Sequence, residues 1–173
     1  MIGDALVYRH IEGVSVKADF SADRKYRYRL EVTRTDGAGA GLTVCVIMQN
    51  PSYAGETIAD RSVQFMEKIV FLGNRPEFAG VDRLIVVNLY GFIQTKGFVP
   101  GAEKSDPRNE AVIEAAIGES DIVIMAWGSS RFLADRESFV RELRKRHPGK
   151  VLLQTKSHPS RGREEGFIQS YPL

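Results

Sequence analysis

Four short polar stretches, each directly after an apolar run, hold the side chains best suited to do chemistry. They read Gln49-Asn50-Pro51-Ser52, Asn88-Leu89-Tyr90, Trp127-Gly128-Ser129 and Ser157-His158-Pro159-Ser160. Amides, hydroxyls and one imidazole orient a polar ligand through hydrogen bonds of defined direction. Asn and Ser are common turn formers, so one such stretch would mean little. Four in succession point to a shared pocket. Asp60, in Thr57-Ile58-Ala59-Asp60-Arg61, is the nearest carboxylate downstream of Asn50. Two readings of it stay open: a base at the pocket, or a partner of Arg61 that caps the next helix, capping being the commoner use.

Several chemistries are disfavoured. Three histidines occur, none at paired ligand spacing, and no Asp/Glu cluster sits at a strand exit, so no metal is expected. His10 and His147 have no partner pattern. There is no Gly-x-Ser-x-Gly elbow, and neither a phosphate-binding Gly-x-x-x-x-Gly-Lys loop nor a Gly-x-Gly-x-x-Gly fingerprint. No cofactor is expected. The single cysteine, Cys45, reads as a small buried hydrophobe and excludes a disulfide framework.

The elements that must position these groups follow from the pattern of apolar residues. Leu42 to Met48, Arg83 to Val87, Ile122 to Ala126 and Val151 to Gln154 are short, nearly continuous apolar runs, as expected of strands covered on both faces. Helical spacing lies between them. Ser62 to Leu72 carries Val63, Met66, Ile69 and Val70; Asn109 to Ile117 carries Val112, Ile113, Ala116 and Ile117; Arg136 to Arg146 carries Phe139, Val140 and Leu143. Asp106 and Asn109 read as helix-start residues. Tyr26 to Val32 alternates as a half-exposed strand, and Asp36 to Gly41 has turn composition. The expected fold is α/β, a three-layer α/β/α sandwich with a mostly parallel central sheet. One domain is expected over residues 1–173, with 1–40 as an N-terminal strand region and loop. Sheets of this kind bind ligands outside the carboxyl ends of their strands, where all four polar stretches lie.

At 173 residues the chain suits one domain, which at this size buries roughly 70% of its unfolded surface. Its 43% hydrophobic and 27% charged content is ordinary for a globular protein. No basic region followed by an apolar stretch opens the chain, and no apolar run nears the roughly 18 residues of a membrane span. No membrane partner and a cytoplasmic location are expected, with a monomer as the default. Net charge is only +2, but it is clustered: Arg24, Lys25, Arg27, Arg29 and Arg34 early, Arg141 to Arg163 late. Such clusters are usually solvated faces and contact phosphate only where folding sets them beside a site.

Taken in order, the four exits resemble the motif series of the uracil-DNA-glycosylase superfamily over about residues 42 to 168. Val46 to Ser52 is similar to its first motif, Val86 to Leu89 to the strand ending in a base-reading asparagine, Ile124 to Gly128 to a strand closing in Trp-Gly, and Ser157 to Ser160 to its His-Pro-Ser motif. A nearer resemblance, to the domain-of-unknown-function family numbered 1643, rests on Phe20-Ser21, Tyr26-Arg27-Tyr28, Asn50-Pro51-Ser52, Asn88-Leu89-Tyr90 and Ala126-Trp127-Gly128. It implies a fold and a pocket without an activity.

The superfamily resemblance implies a DNA glycosylase with DNA as partner. Such an enzyme flips out a damaged or modified base, in expectation a pyrimidine, with modified foreign DNA among the expected substrates, and hydrolyses its N-glycosidic bond with water. Asn50 would hold the water and His158 would donate to the departing base, with Asp60 as a possible base. Asn88, Gln49 and Tyr53 would contact the base, and Ser52, Ser160, Arg161 and Arg163 the DNA. No lysine stands at a motif position, so no lyase step is expected. The departures matter. Asn50 stands where the most active uracil enzymes have Asp, and Arg161-Gly162-Arg163 replaces an apolar wedge. A non-catalytic nucleic-acid or nucleotide-binding module, or a hydrolase of free nucleosides or nucleotides, is the alternative.

Overall fold

The computed structural model describes residues 7–96, 99, 106–128, 138, 141–142, 144–160 and 167–170, and the backbone of Arg161. Within them seven strands form one sheet: β1 (Val14–Phe20), β2 (Arg27–Arg34), β3 (Leu42–Met48), β4 (Val81–Asn88), β5 (Ile122–Met125), β6 (Val151–Thr155) and β7 (Ile168–Ser170). Their order across the sheet is β1-β2-β4-β3-β5-β6-β7.

The four apolar runs form the parallel centre, β4-β3-β5-β6. The pairs β1–β2, β2–β4 and β6–β7 are antiparallel, which corrects the expectation of a mostly parallel sheet. The reason lies in the flanks. An antiparallel strand tolerates one solvated face, so the half-polar β1 and β2 can extend the sheet without a helix crossover. β7, three residues long with only Ile168 and its neighbour Phe167 buried, leaves no period to read in the sequence. Val151, expected to be buried in β6, is 52% exposed because it opens a strand near the sheet margin.

Alternation in β3 divides the core. Val44, Val46 and Met48 pack with Val63 and Met66 of α1 (Arg61–Glu67), whereas Cys45 and Ile47 pack with Ile113, Ala116 and Ile117 of α2 (Pro107–Glu119). Each helix therefore closes on its own face of the central strands. The segment expected as one helix through Leu72 changes to π-helical geometry over Lys68–Leu72, which still buries Ile69 and Val70. Of the helix expected over 136–146, residues 138, 141, 142 and 144–146 are helical; Phe139, Val140 and Leu143 lie outside the described side chains. Cys45 is fully buried, and burial pushes its thiol up to about 12. Among the described residues no helix is long and apolar enough to cross a membrane.

His10, to which the sequence assigns no role, ties the segment before β1 to the body of the protein. Its Nδ1 lies 2.6 Å from Oε2 of the fully buried Glu67, and its Nε2 lies 2.7 Å from the carbonyl of Gly55. The amide of Ile11 donates to Oε1 of Glu67, and the amide of Ala59 to the carbonyl of Tyr8. Both ring nitrogens face acceptors, which suits an imidazolium. Burial alone would lower the His10 pKa; the hydrogen bonds to Glu67 and Gly55 and the Glu67 charge more than reverse that, leaving it raised. A raised folded value means the stabilisation is complete below the ordinary imidazole pKa of 6.5 and is lost as pH rises through the folded value. Urea unfolding followed from pH 6 upward should show this decline in the wild type and lose it in Glu67→Gln. His10→Ala, which strands a buried carboxylate, should cost about 3 kcal/mol at pH 6.

Candidate functional site

The four strand exits meet at the carboxyl ends of the parallel strands around a cavity of about 520 Å³. The chain passes from β3 to its neighbour β4 on one side, then crosses to β5 on the other. The cavity lies at this reversal, the usual ligand crevice of open α/β sheets. Gln49, Asn50, Ser52 and Tyr53 come from the first exit and Asn88 from the second. Trp127 and Gly128 come from the third, and Ser157, His158 and Ser160 from the fourth. Asp60 joins them from the start of α1. Ser129 and Arg163 lie outside the described residues, and Arg161 is described only as backbone of a 3-10 turn, Pro159–Arg161.

Backbone pairing carries the β3–β4 ladder past the ends of the strands. The amides of Leu89 and Tyr90 donate to the carbonyls of Met48 and Gln49, and the amide of Gln94 to that of Pro51. Nδ2 of Asn50 then donates to the carbonyls of Gln94 (2.8 Å) and Pro51 (3.1 Å). With those hydrogens engaged, the side chain has its oxygen, an acceptor, left to offer a ligand. Ser52 shares a 3.0 Å hydrogen bond with Thr95. Gln94 and Thr95 also line the cavity, at positions marked by no sequence signal beyond their closeness to Asn88.

Asn88 is held from below by α2. Tyr28 donates to Asp106, Asp106 caps the helix by accepting from the amide of Asn109, and the buried Asn109 side chain donates to the carbonyls of Asn88 (2.9 Å) and Leu89 (3.3 Å). The helix-start reading of Asp106 and Asn109 stands, and Asn109 has this second task as well. Asn88 itself is 1% exposed, and among the described residues its buried Nδ2 has no partner. Buried amide hydrogens seldom remain unpaired.

The fourth exit is set by a hairpin-like contact within itself. The amide of Ser160 donates to Nδ1 of His158 at 3.1 Å, with the Ser160 hydroxyl at 3.0 Å. A backbone amide can only donate, so Nδ1 is the acceptor and a neutral His158 carries its hydrogen on Nε2. Gly128, at φ +78°, makes the neighbouring turn; a Cβ there would sit 3.4 Å from Cβ of His158. Trp127 is 7% exposed and belongs to the α2-side core, so its indole packs against the sheet as well as lining the cavity. Tyr53 is 44% exposed at the rim.

Asp60 caps α1, with Oδ1 accepting from the amide of Val63 at 2.8 Å. The capping reading is therefore realised, and the residue lines the cavity too. Facing the same space is Arg27, which the sequence placed in a solvated basic cluster. It is instead 1% exposed. Burial lowers its pKa to about 10, with the nearby Asp60 charge pulling the other way. The displacement has a local cause. β1 pairs Phe20 with Arg27 but Asp19 with Arg29, an irregularity that shifts the alternation by one residue. Arg29 and Glu31 keep one face, while Arg27 turns to the α1 side, where Nη1 donates to the carbonyl of Ala54. Bulges re-aim side chains beside sites in this way.

Among the described residues, several other arginines lie in ion pairs. Arg29 and Arg83 share Glu31 and Glu119, Arg34 pairs with Asp36, and Arg146 with Glu114. Among the described residues no group of three or more His, Cys, Asp or Glu side chains could hold a metal ion.

A family model described as Protein of unknown function (DUF1643) matches residues 27–161, a span that takes in every residue named above at the cavity wall. No curated protein matches the chain.

Two substitutions test how this wall is built. Gly128→Ala should lower the unfolding free energy by about 1–2 kcal/mol in urea, from the left-handed backbone conformation alone. Asn109→Ala removes the donor to two buried carbonyls and should cost about 1–3 kcal/mol by the same measurement.

Proposed function

The chain belongs to the DUF1643 family, and we propose that it is a monofunctional DNA glycosylase of the uracil-DNA-glycosylase type. The finer fold reading goes with this: a three-layer α/β/α sandwich, supported by the packing of α1 and α2 on opposite faces of the central strands. The observation that carries the functional reading is the Asn88 amide, buried at the cavity wall with no partner among the described residues. A flipped nucleobase, whose edge alternates acceptors and donors, is a fitting occupant.

In this reading a base leaves the stack, at a cost of a few kcal/mol, and enters the cavity. Asn88 and Gln49 meet its edge, and Tyr53 at the rim stacks on it. Asn50, with its amide nitrogen tied to the loop, accepts from a water and orients it. The oxygen of Asp60 not used by the helix cap accepts the proton as that water attacks. His158 donates from Nε2 to the oxygen of the departing base. Ser52, Ser160 and the arginines after it meet the phosphates. Replacement of a first-motif carboxylate by Asn50 leaves Asp60 as the base and makes slow turnover the expectation.

A second reading, hydrolysis of free nucleosides or nucleotides, is favoured by one observation. Three of the five early basic residues are turned away from a polyanion: Arg29 and Arg34 lie in internal ion pairs and Arg27 is buried.

The deciding assay incubates the protein with DNA panels bearing uracil, mismatched and bulky modified pyrimidines, and reveals abasic sites with alkali. Abasic sites should form on at least one panel member, and His158→Ala should slow their formation about 10²–10³-fold. Base release from free nucleosides with none from DNA would transfer the assignment to the second reading. Salt-sensitive DNA binding without cleavage would leave a binding module.

A further inference from the structure

Arg27 carries a charge that its contacts with the other described residues do not balance. Among the described residues its guanidinium makes one hydrogen bond, from Nη1 to the carbonyl of Ala54 at 2.9 Å, and Nε is buried without a partner. Asp60 attracts it, yet no hydrogen bond joins the two. A buried cation so sparsely paired is destabilising unless something else accepts its hydrogens. Both residues line the cavity beside the unpartnered amide of Asn88. The wall thus holds a cation and a carboxylate near one another and not neutralised by contact.

That separation matches the charge that N-glycoside cleavage creates, positive on the sugar and negative on the base. We infer that Arg27 is a catalytic residue, giving its unused guanidinium hydrogens to an oxygen of the departing base and taking up its negative charge. The inference rests on the glycosylase reading and deepens it. The water oxygen bonds to the anomeric carbon as the carbon–nitrogen bond breaks, and the electron pair of that bond leaves on the base. The water proton passes to Asp60 and on to solvent, and solvent later protonates the base anion. Charges fixed in place before the reaction act on such a step without reorganising. Of the two donors then aimed at the base, Arg27 carries a full charge and a neutral His158 none, so Arg27 sets the preference for rings that leave as stabilised anions.

The test uses two ring probes of similar size, barbiturate, which is anionic at neutral pH, and uracil, which is neutral. Calorimetric titration at pH 7.5 should give the wild type a preference for barbiturate of about tenfold or more, as charge-assisted hydrogen bonds exceed neutral ones. Arg27→Met should abolish that preference, Arg27→Lys should keep part of it, and the urea midpoint of Arg27→Met should equal or exceed the wild type's. On a cleaved DNA substrate, Arg27→Met should lower the rate about 10²-fold, chiefly through kcat. No preference for barbiturate, or one that survives Arg27→Met, overturns the assignment even if DNA is cleaved. A preference that depends on Arg27, with no abasic sites from any DNA, overturns the glycosylase reading and keeps Arg27 as the group that binds a ring oxyanion.

Discussion

The pairing of β3 with β4 is the constraint on which the site depends. Its register sets Met48 opposite Asn88, and the same run of hydrogen bonds continues through Leu89 and Tyr90 after the strands have ended. Two loops that would otherwise move independently become one sheet-like surface. Asn50 and Asn88 sit on that surface as neighbours because their strands are neighbours, although 38 positions separate them in the sequence. β5 pairs with β3 from the other side and brings Trp127-Gly128 to the same level. The cavity is thus a product of strand order, and the side chains around it inherit their spacing from the ladder.

Support from beneath is equally specific. α2 is capped by Asp106, and through Asn109 it holds the carbonyls at the end of β4. α1 is capped by Asp60, which stands in the cavity. In both helices the residues that satisfy the first turn also shape the site. Mutating either cap therefore disturbs stability and the pocket together, and rate measurements on such variants need stability measured beside them.

Much of this was legible in the sequence because its signals are local. A continuous apolar run ending in compact polar residues marks a buried strand and its exit, and all four exits read this way reach one cavity. The apolar run Leu42 to Met48 coincides with β3 at both ends, and the buried faces of α1 and α2 follow the helical spacing of Val63, Met66, Ile113 and Ile117. What escaped depends on pairing between distant segments. Arg27 falls in an alternating run that places it with Arg29 and Glu31, and only the irregular pairing with β1 turns it inward. The antiparallel flanks escaped for the same reason, since strand direction is a property of partners. His10 carries no motif at all; its role comes from Glu67 and Gly55, which folding brings to it.

Burial of the chain's single thiol at the middle of β3 has a consequence of its own. Cys45 is fully buried, on the strand flanked by β4 and β5. No fraying of an end or breathing of a loop can uncover it. A thiol reagent can reach it only when the centre of the sheet comes apart, so its labelling rate counts whole-molecule openings and ignores local ones. The protein carries, in effect, an internal clock for global unfolding that needs no engineered probe.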